Sequence, residues 1–374
     1  MPGPRRPDAP RLKLPAIHWE NLANVLTPMA AIIASLAVGS LVIAMLKVNP
    51  VVAYGHLFRG AAGNLGQVTM TITNSIPLIF AGLAVTLAFR AGTFNIGGEG
   101  QLYMGALLAV WAGTALRLPL GVHVLAALAC GAAGGAAWAL VPGYLKARRG
   151  FNEVIITILM NYIAVWFVSY MVHSLLREPG WSPQTRQVLA TARLPQLISG
   201  TSLHAGILLA IAAAVAVHFL LTRTGLGFAI RMVGSNREAA RWAGIDVAKV
   251  TIITMCLSGA LAGLAGASEI LGVRFRLLDG FSPGYGFDAI AVALLGRTTA
   301  VGTIFGALFF GALRTGANVM QSATGLPVVA VYLIQGLVVL FMIAGTSMDV
   351  VRKLLAKRKE VAAGAGPVRG GAVG

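Results

Sequence analysis

The chain has 374 residues, of which 57% are hydrophobic and 11% charged, and its mean hydropathy is +0.80. No soluble domain of this size has that composition, so a soluble enzyme is excluded. The net charge of +17 comes from Lys and Arg in the connections between apolar segments, not on one soluble face, which argues against a nucleic-acid partner.

Apolar runs of roughly 20 residues recur along the chain, and each is long enough to cross a bilayer. The sequence predicts an all-α fold, a polytopic transmembrane helix bundle of about ten spans. The segment 285–297 is too short to cross alone, so it is either a half-helix or a re-entrant segment. The predicted spans are 27–46, 68–89, 99–116, 121–144, 153–173, 204–222, 251–272, 285–297, 301–321 and 326–345.

Three regions are expected along the chain. Residues 1–26 form a basic cytoplasmic arm, 27–345 the transmembrane domain, and 346–374 a basic, partly disordered cytoplasmic tail. The first span is too long for the core of a cleavable signal peptide. The positive-inside rule assigns both termini and the loop 223–250 to the cytoplasm, and the loop 174–203 to the outside.

Two Gly-rich segments each carry one acid and lead into an apolar helix. The first is Phe94–Gln101 (Phe-Asn-Ile-Gly-Gly-Glu-Gly-Gln), and the second is Phe281–Asp288 (Phe-Ser-Pro-Gly-Tyr-Gly-Phe-Asp). In the predicted topology they enter the membrane from opposite sides, which is typical of an inverted repeat. Chance similarity between two Gly-rich helix starts explains the match equally well.

Polar side chains near these breaks are the candidates for a solute path. Acids inside a membrane are costly, so they usually face a cavity or pair with another group. Glu99 and Asp288 therefore either flank a path or cap their own helices through the helix dipole. The proposed path residues are Asn74, Asn95, Glu99, Gln101, Asn161 and Asp288. For the asparagines on apolar spans, hydrogen bonding between helices is the alternative role.

A short polar helix is predicted between two apolar spans, at 234–245. Ser235 and Glu238 have capping-box spacing, and Gly244 is placed to end the helix in the left-handed conformation. Small residues between them form an apolar face suited to docking in a groove of a partner protein, although an ordinary connecting helix is the alternative. The predicted docking residues are Gly234, Ser235, Asn236, Glu238, Ala239, Ala240 and Gly244.

Catalytic signatures are absent from the sequence. It has no Gly-x-x-x-x-Gly-Lys-Ser/Thr phosphate loop, no His-Glu-x-x-His and no Gly-x-Ser-x-Gly. Cys130 and Cys256 lie in apolar spans and are interpreted as small hydrophobic residues, so no metal site and no bound cofactor are expected. If transport is active, its energy comes from an ion gradient or from ATP used by a separate subunit.

Four motifs together resemble a known family. These are Phe94–Gln101, Asn152–Ile155, Gly234–Ile245 and Gly284–Gly296. They are similar to the permease subunits of bacterial ABC importers of the ribose and branched-chain amino acid type, nearest to the nucleoside (simple-sugar-like) uptake branch. The resemblance covers about residues 25–345 and leaves the tail beyond Arg352 without a role.

The resemblance implies a bacterial inner-membrane permease that carries a nucleoside or related sugar-like solute. It also implies the partners: two ATP-binding cassette ATPase subunits, a second and often non-identical permease, and an external solute-binding protein, within membrane lipid. In this family the segment 234–245 is the coupling helix that docks on the ATPase. The alternative is an ion-coupled secondary transporter, for which Glu99 and Asp288 are the only plausible ion carriers.

Overall fold

The computed structural model describes residues 19–327, 329–337, 340, 341 and 344. The regular elements in these ranges are helices, which confirms the all-α prediction. They are α1 (Trp19–Met45), α2 (Pro50–Ala62), α3 (Leu65–Arg90), α4 (Gly98–Ala115), α5 (Val122–Arg149), α6 (Glu153–His173), α7 (Gly206–Arg223), α8 (Gly225–Ser235), α9 (Arg237–Trp242), α10 (Val247–Glu269), α11 (Tyr285–Leu295) and α12 (Ala300–Thr324). A π-helical turn, Ile270–Arg274, extends α10.

The predicted count of about ten spans is not confirmed. In the described part of the chain, six helices are long and apolar enough to cross a membrane, or seven if α1 and α2, bent by 119°, form one broken span. The difference arises partly because α4 begins with the polar turn Gly98–Gln101, and α11 has 11 residues and is only about 16 Å long. The last predicted span, most of the N-terminal arm and the C-terminal tail lie partly or wholly outside the described residues.

Two three-helix units pack with the symmetry expected of an inverted repeat. The first unit is α3–α5 and the second is α10–α12. Helices α4 and α5 of the first unit pack on α10, and α11 and α12 of the second unit pack on α3. Each unit therefore supplies the long first helix against which the other unit's two following helices rest. This exchange of partners supports the inverted repeat that the two Gly-rich segments indicate.

Glycine pairs allow the closest helix approaches. A Cβ at Gly135 would collide with the carbonyl oxygen of Gly259, and one at Gly105 with the backbone of Gly263. Since only glycine permits these backbone contacts, the Gly131/Gly135 and Gly259/Gly263 spacings hold α4, α5 and α10 together. These three helices therefore form a tightly packed group.

The bundle has two distinguishable ends. At the end called here the α9 face, the Arg90 Nε donates to the Thr298 carbonyl over 2.8 Å, and Arg237 reaches the carbonyl of Gly92. At the opposite end, the loop face, residues 174–205 fold over the helix ends, and Thr185 N donates to the Leu277 carbonyl over 3.0 Å. The regular helical structure in this loop is a 3₁₀ turn, Ala190–Ala192.

Candidate functional site

The starts of α4 and α11 meet inside the bundle. The carboxylate Oε2 of Glu99, in the first turn of α4, accepts a hydrogen bond of 2.6 Å from the backbone N–H of Gly286, in the first turn of α11. A Cβ on Gly286 would collide with the Glu99 backbone, so glycine is required for the contact. From this junction, α4 runs to the loop face and α11 to the α9 face.

The alternative role predicted for Glu99 was to cap its own helix. In the structure its carboxylate caps α11 instead. Its carboxylate satisfies a first-turn N–H of the other repeat's helix, where the positive end of the helix dipole favours a negative charge. Glu99 is 4% exposed. The acid of one repeat therefore fixes the half-helix of the other.

Asn95 and Gln101 form a reciprocal amide pair beside the junction. Each side-chain nitrogen donates to the other's oxygen over 2.9 Å, and Asn95 Nδ2 also donates to Ser258 Oγ over 2.8 Å. Ser258 in turn donates to the Ala84 carbonyl on α3. Both amides are buried, so in this conformation they hold the approach to α4 in place, and their role along a path stays a prediction.

Asn161 anchors the start of α4 from α6. Its Oδ1 accepts from Gly100 N over 2.8 Å, and its Nδ2 donates to the Ile96 carbonyl over 2.9 Å. It therefore acts as an N-cap supplied by a neighbouring helix, satisfying a first-turn N–H that α4 itself leaves open. Asn74 lies apart from this group and joins α3 to α12 by donating to Thr315 Oγ1 over 2.9 Å.

Asp288 pairs with an arginine inside the bundle, and no side chain caps α11 from its own N-cap position. Arg314 Nη2 lies 3.0 Å from Asp288 Oδ2 and 3.1 Å from the Pro283 carbonyl, and the guanidinium stacks 4.5 Å from the centre of the Tyr285 ring. The other terminal nitrogen, Nη1, is buried and has no hydrogen-bond partner among the described residues. Arg314 was visible as a charged residue within a span but was not predicted as a site residue.

The short helix predicted at 234–245 is present as α9, but its cap differs from the prediction. Asn236 is the N-cap, and its Oδ1 accepts from Glu238 N over 2.9 Å and from Ala239 N over 3.1 Å. Ser235 ends α8, and Glu238 pairs with Arg241. The capping box of Ser235 and Glu238 is therefore wrong, because the one-residue break between the helices puts Asn236 in the extended conformation that a cap needs.

The predicted end of α9 is confirmed, and its predicted docking face is corrected. Gly244 has φ +79°, and Ile245 N donates to the Ala240 carbonyl, which together form a Schellman ending. Ala240 is fully buried in its own chain, so it faces inward, whereas Ala239 is exposed. Trp242, 89% exposed, dominates the outer surface of α9 and was missed, although an aromatic residue on an apolar docking helix is a readable signal.

A short backbone route joins α9 to the junction. Gly234 is so close to Arg90 and Gly92 that a Cβ would collide with the Arg90 carbonyl, and Arg237 Nη2 donates to the Gly92 carbonyl over 3.2 Å. The chain then runs through 93–97 into the first turn of α4. The end of α8 and the start of α9 therefore contact the connection that leads to Asn95 and Glu99.

The described residues give little support to a metal site. No group of three or more His, Cys, Asp or Glu there is arranged to hold a metal ion. Beside α9, a cavity of about 440 Å³ is lined in part by three basic side chains, Lys146, Arg237 and Arg241, and by one acidic side chain, Asp246. Asn152 caps α6, and Glu153 pairs with Lys146 at 2.6 Å.

Comparison with known proteins identifies the family of this helical arrangement. Residues 67–343 match the family described as branched-chain amino acid transport system / permease component. The guanosine ABC transporter permease protein of Bacillus subtilis is 39% identical over 91% of this chain and 99% of its own length. The glucose ABC transporter permease protein of Haloferax volcanii is 40% identical over 85% of this chain and 86% of its own.

A third relative is also named as a permease of an ABC transporter. The nucleoside ABC transporter permease protein of Lactococcus lactis is 32% identical over 91% of this chain and 95% of its own length. No solved structure matches. Since the family match covers most of the chain and the relatives align over almost their whole length, the chain belongs to the branched-chain amino acid transport system / permease component family and is a permease subunit of an ABC transporter.

Proposed function

We propose that this subunit carries a nucleoside or related sugar-like solute into a bacterial cell, through the inner membrane and past the junction of α4 and α11. The observation that carries the proposal is the meeting of two helix starts, those of α4 and the short α11, around Glu99 inside the bundle. Broken helices inside a membrane are typical of solute sites, because backbone that is not in a helix is tolerated only next to protein or water. The nearby polar residues Asn95, Gln101, Asn161 and Asp288 are then path or positioning residues.

The energy source in this proposal is an ATPase subunit bound at the α9 face. Two features support it: the exposed Trp242, which offers a large apolar anchor, and the basic cavity beside α9, which suits acidic groups of a partner. With this docking, α9 and both termini lie in the cytoplasm. A second permease and an external binding protein complete the transporter, while this chain binds no cofactor of its own.

The nucleoside and sugar classes both have support in the names of relatives, which act on guanosine, nucleosides and glucose. The deciding experiment is to identify the ligand that co-purifies with the partner binding protein, then to measure uptake of that ligand by the complete transporter. Uptake of guanosine or a sugar supports the proposal. A branched-chain amino acid as the ligand would contradict it while leaving the family assignment intact.

The alternative, an ion-coupled secondary transporter, is not favoured. Glu99 is held by a backbone N–H and Asp288 by Arg314, so each candidate ion carrier already has a fixed partner.

A further inference from the structure

The two exposed sides of α12 differ in chemistry. At about 100° per residue, Arg314, Asn318 and Gln321 fall within one sector of the helix, and Val301 and Phe305 fall on the opposite side. Asn318 and Gln321 are exposed, as are Val301 and Phe305. An apolar exposed side is expected in lipid, whereas an exposed polar row in the middle and outer part of a membrane helix needs water, solute or protein against it.

The polar row begins where the half-helix α11 ends. Toward the α9 face, the same side of α12 is covered by α11, with Thr303 and Ala307 buried and Gly306 against Val292. Beyond the first turn of α11 this cover stops, and Arg314 is the first side chain past it, in contact with Asp288 and Pro283. Asn318 and Gln321 follow toward the loop face. The row therefore leads from the loop face to the junction.

We propose that Arg314, Asn318 and Gln321 line the outer part of the solute path and bind the oxygen atoms of a neutral, polyhydroxylated solute. The unpartnered Nη1 of Arg314 supplies a donor beside the junction. Two amides supply further donors and acceptors. This inference rests on the proposed function and adds residues and a ligand class to it.

The charge of the row selects a neutral solute. Asp288 lies 3.0 Å from Arg314 and compensates its charge, while Asn318 and Gln321 are neutral. A phosphorylated solute would need cations without a counter-charge, and none is offered by these residues. Nucleosides and free sugars meet the requirement, since each has several hydroxyl groups and no charge.

Cysteine labelling tests whether Asn318 and Gln321 are accessible to water and lie where solute binds. Asn318→Cys, Gln321→Cys and the matched control Phe305→Cys are made with Cys130 and Cys256 replaced by Ala, in the complete transporter in proteoliposomes. We expect a membrane-impermeant cationic thiol reagent to label positions 318 and 321 but not 305, and guanosine with the binding protein to slow that labelling. If positions 318 and 321 are not labelled, for example because a second permease covers them, the proposal is overturned. Labelling of these positions that guanosine does not slow would also overturn it.

Transport by point variants separates binding from folding. Asn318→Leu and Arg314→Lys are expected to assemble with the ATPase yet to take up guanosine about tenfold more slowly, the effect of losing a hydrogen bond to substrate. Asn318→Gln, which keeps the amide, should recover most of the rate. Wild-type rates in Asn318→Leu and Arg314→Lys would refute this inference alone, whereas a wild-type complex that takes up no nucleoside or sugar would refute the proposed function.

Discussion

Glu99 and Gly286 lie 187 positions apart in sequence, yet the carboxylate of one accepts the backbone N–H of the other over 2.6 Å. This bond joins the first turns of α4 and of the short helix α11, which run in opposite directions. The position of each helix start therefore depends on the other repeat. The tightest constraints on the site therefore lie in backbone contacts at glycine.

The two glycines at the junction are expected to respond differently to the same change. Gly286→Ala places a Cβ against the Glu99 backbone, so the half-helices must separate. Gly98→Ala meets nothing closer than 3.5 Å. Thermal unfolding of the purified complex should show a large loss for Gly286→Ala, on the order of 1–3 kcal/mol or more, because overpacking is costly. Equal stability of the two variants would contradict the junction geometry.

Glu99 should tolerate an amide better than an alanine. Glu99→Gln keeps an oxygen that can accept from Gly286 N, whereas Glu99→Ala leaves that buried N–H unpaired, at a cost of about 1–3 kcal/mol. We therefore expect Glu99→Gln to assemble nearly normally with reduced uptake, and Glu99→Ala to lose stability as well. Normal uptake by Glu99→Gln would remove Glu99 from the path.

The cap of α9 gives a matched pair of substitutions. Asn236→Ala removes an oxygen that accepts two backbone N–H groups, and should destabilise α9 by about 1 kcal/mol. Ser235→Ala should have almost no effect on α9. Hydrogen exchange of the amides of Glu238 and Ala239 provides the measurement, and faster exchange in the Ser235 variant instead would restore the capping box.

Substitutions at Trp242 and at Ala240 should impair the transporter in different ways. Trp242→Ala removes an exposed anchor, so we expect an intact permease that loses its ATPase subunits during purification. Ala240→Trp forces a large side chain into a fully buried position and should impair folding of the permease itself. Co-purification and unfolding temperature, measured on both variants, distinguish the two failures. An Ala240→Trp protein of normal stability would show that Ala240 is not packed as described.

His204 should make the loop face sensitive to acid. The ring is buried against Gly272 and accepts from Gly206 N, and burial lowers the pKa of His204 to about 4, against about 6.5 for an exposed histidine. The unfolded chain then binds a proton more readily, so stability should fall as pH drops from about 6.5 toward 4. His204→Gln should flatten that decline in unfolding temperature, and an unchanged slope would count against it.

Much of the fold could be predicted from the sequence because apolar length and glycine spacing act locally. The two Gly-rich segments predicted that a helix begins beside each of them, and the segment 285–297 was predicted as a half-helix or a re-entrant segment. The count of about ten spans is not confirmed, partly because a helix that starts inside the bundle, such as α4, has a polar first turn. Hydropathy alone does not show where along the membrane a helix begins.

The sequence named candidate site residues but not the partners that they contact. Asn95, Glu99 and Gln101 are adjacent in sequence, so their grouping was visible, whereas the partners Ser258, Gly286 and Arg314 come from distant helices. The orientation of Ala240 was mispredicted for a similar reason. A helix of one and a half turns has too few residues for periodicity to show which side its own chain covers.

The topology that underlies the proposal has its own test. Lys249→Cys, beside α9, and Arg186→Cys, on the loop face, are both exposed and should label from opposite sides of the membrane, with Lys249→Cys reached only from the cytoplasm. Labelling of both from one side would contradict the arrangement of the two faces.

The most direct measurement is solute uptake by proteoliposomes that contain the complete transporter, with ATP and ion gradients controlled separately. We expect guanosine uptake to require ATP and a hydrolysis-competent ATPase subunit, to continue when ionophores collapse every ion gradient, and to be lost with Trp242→Ala. Uptake that persists without ATP and stops when an ion gradient is collapsed would contradict it.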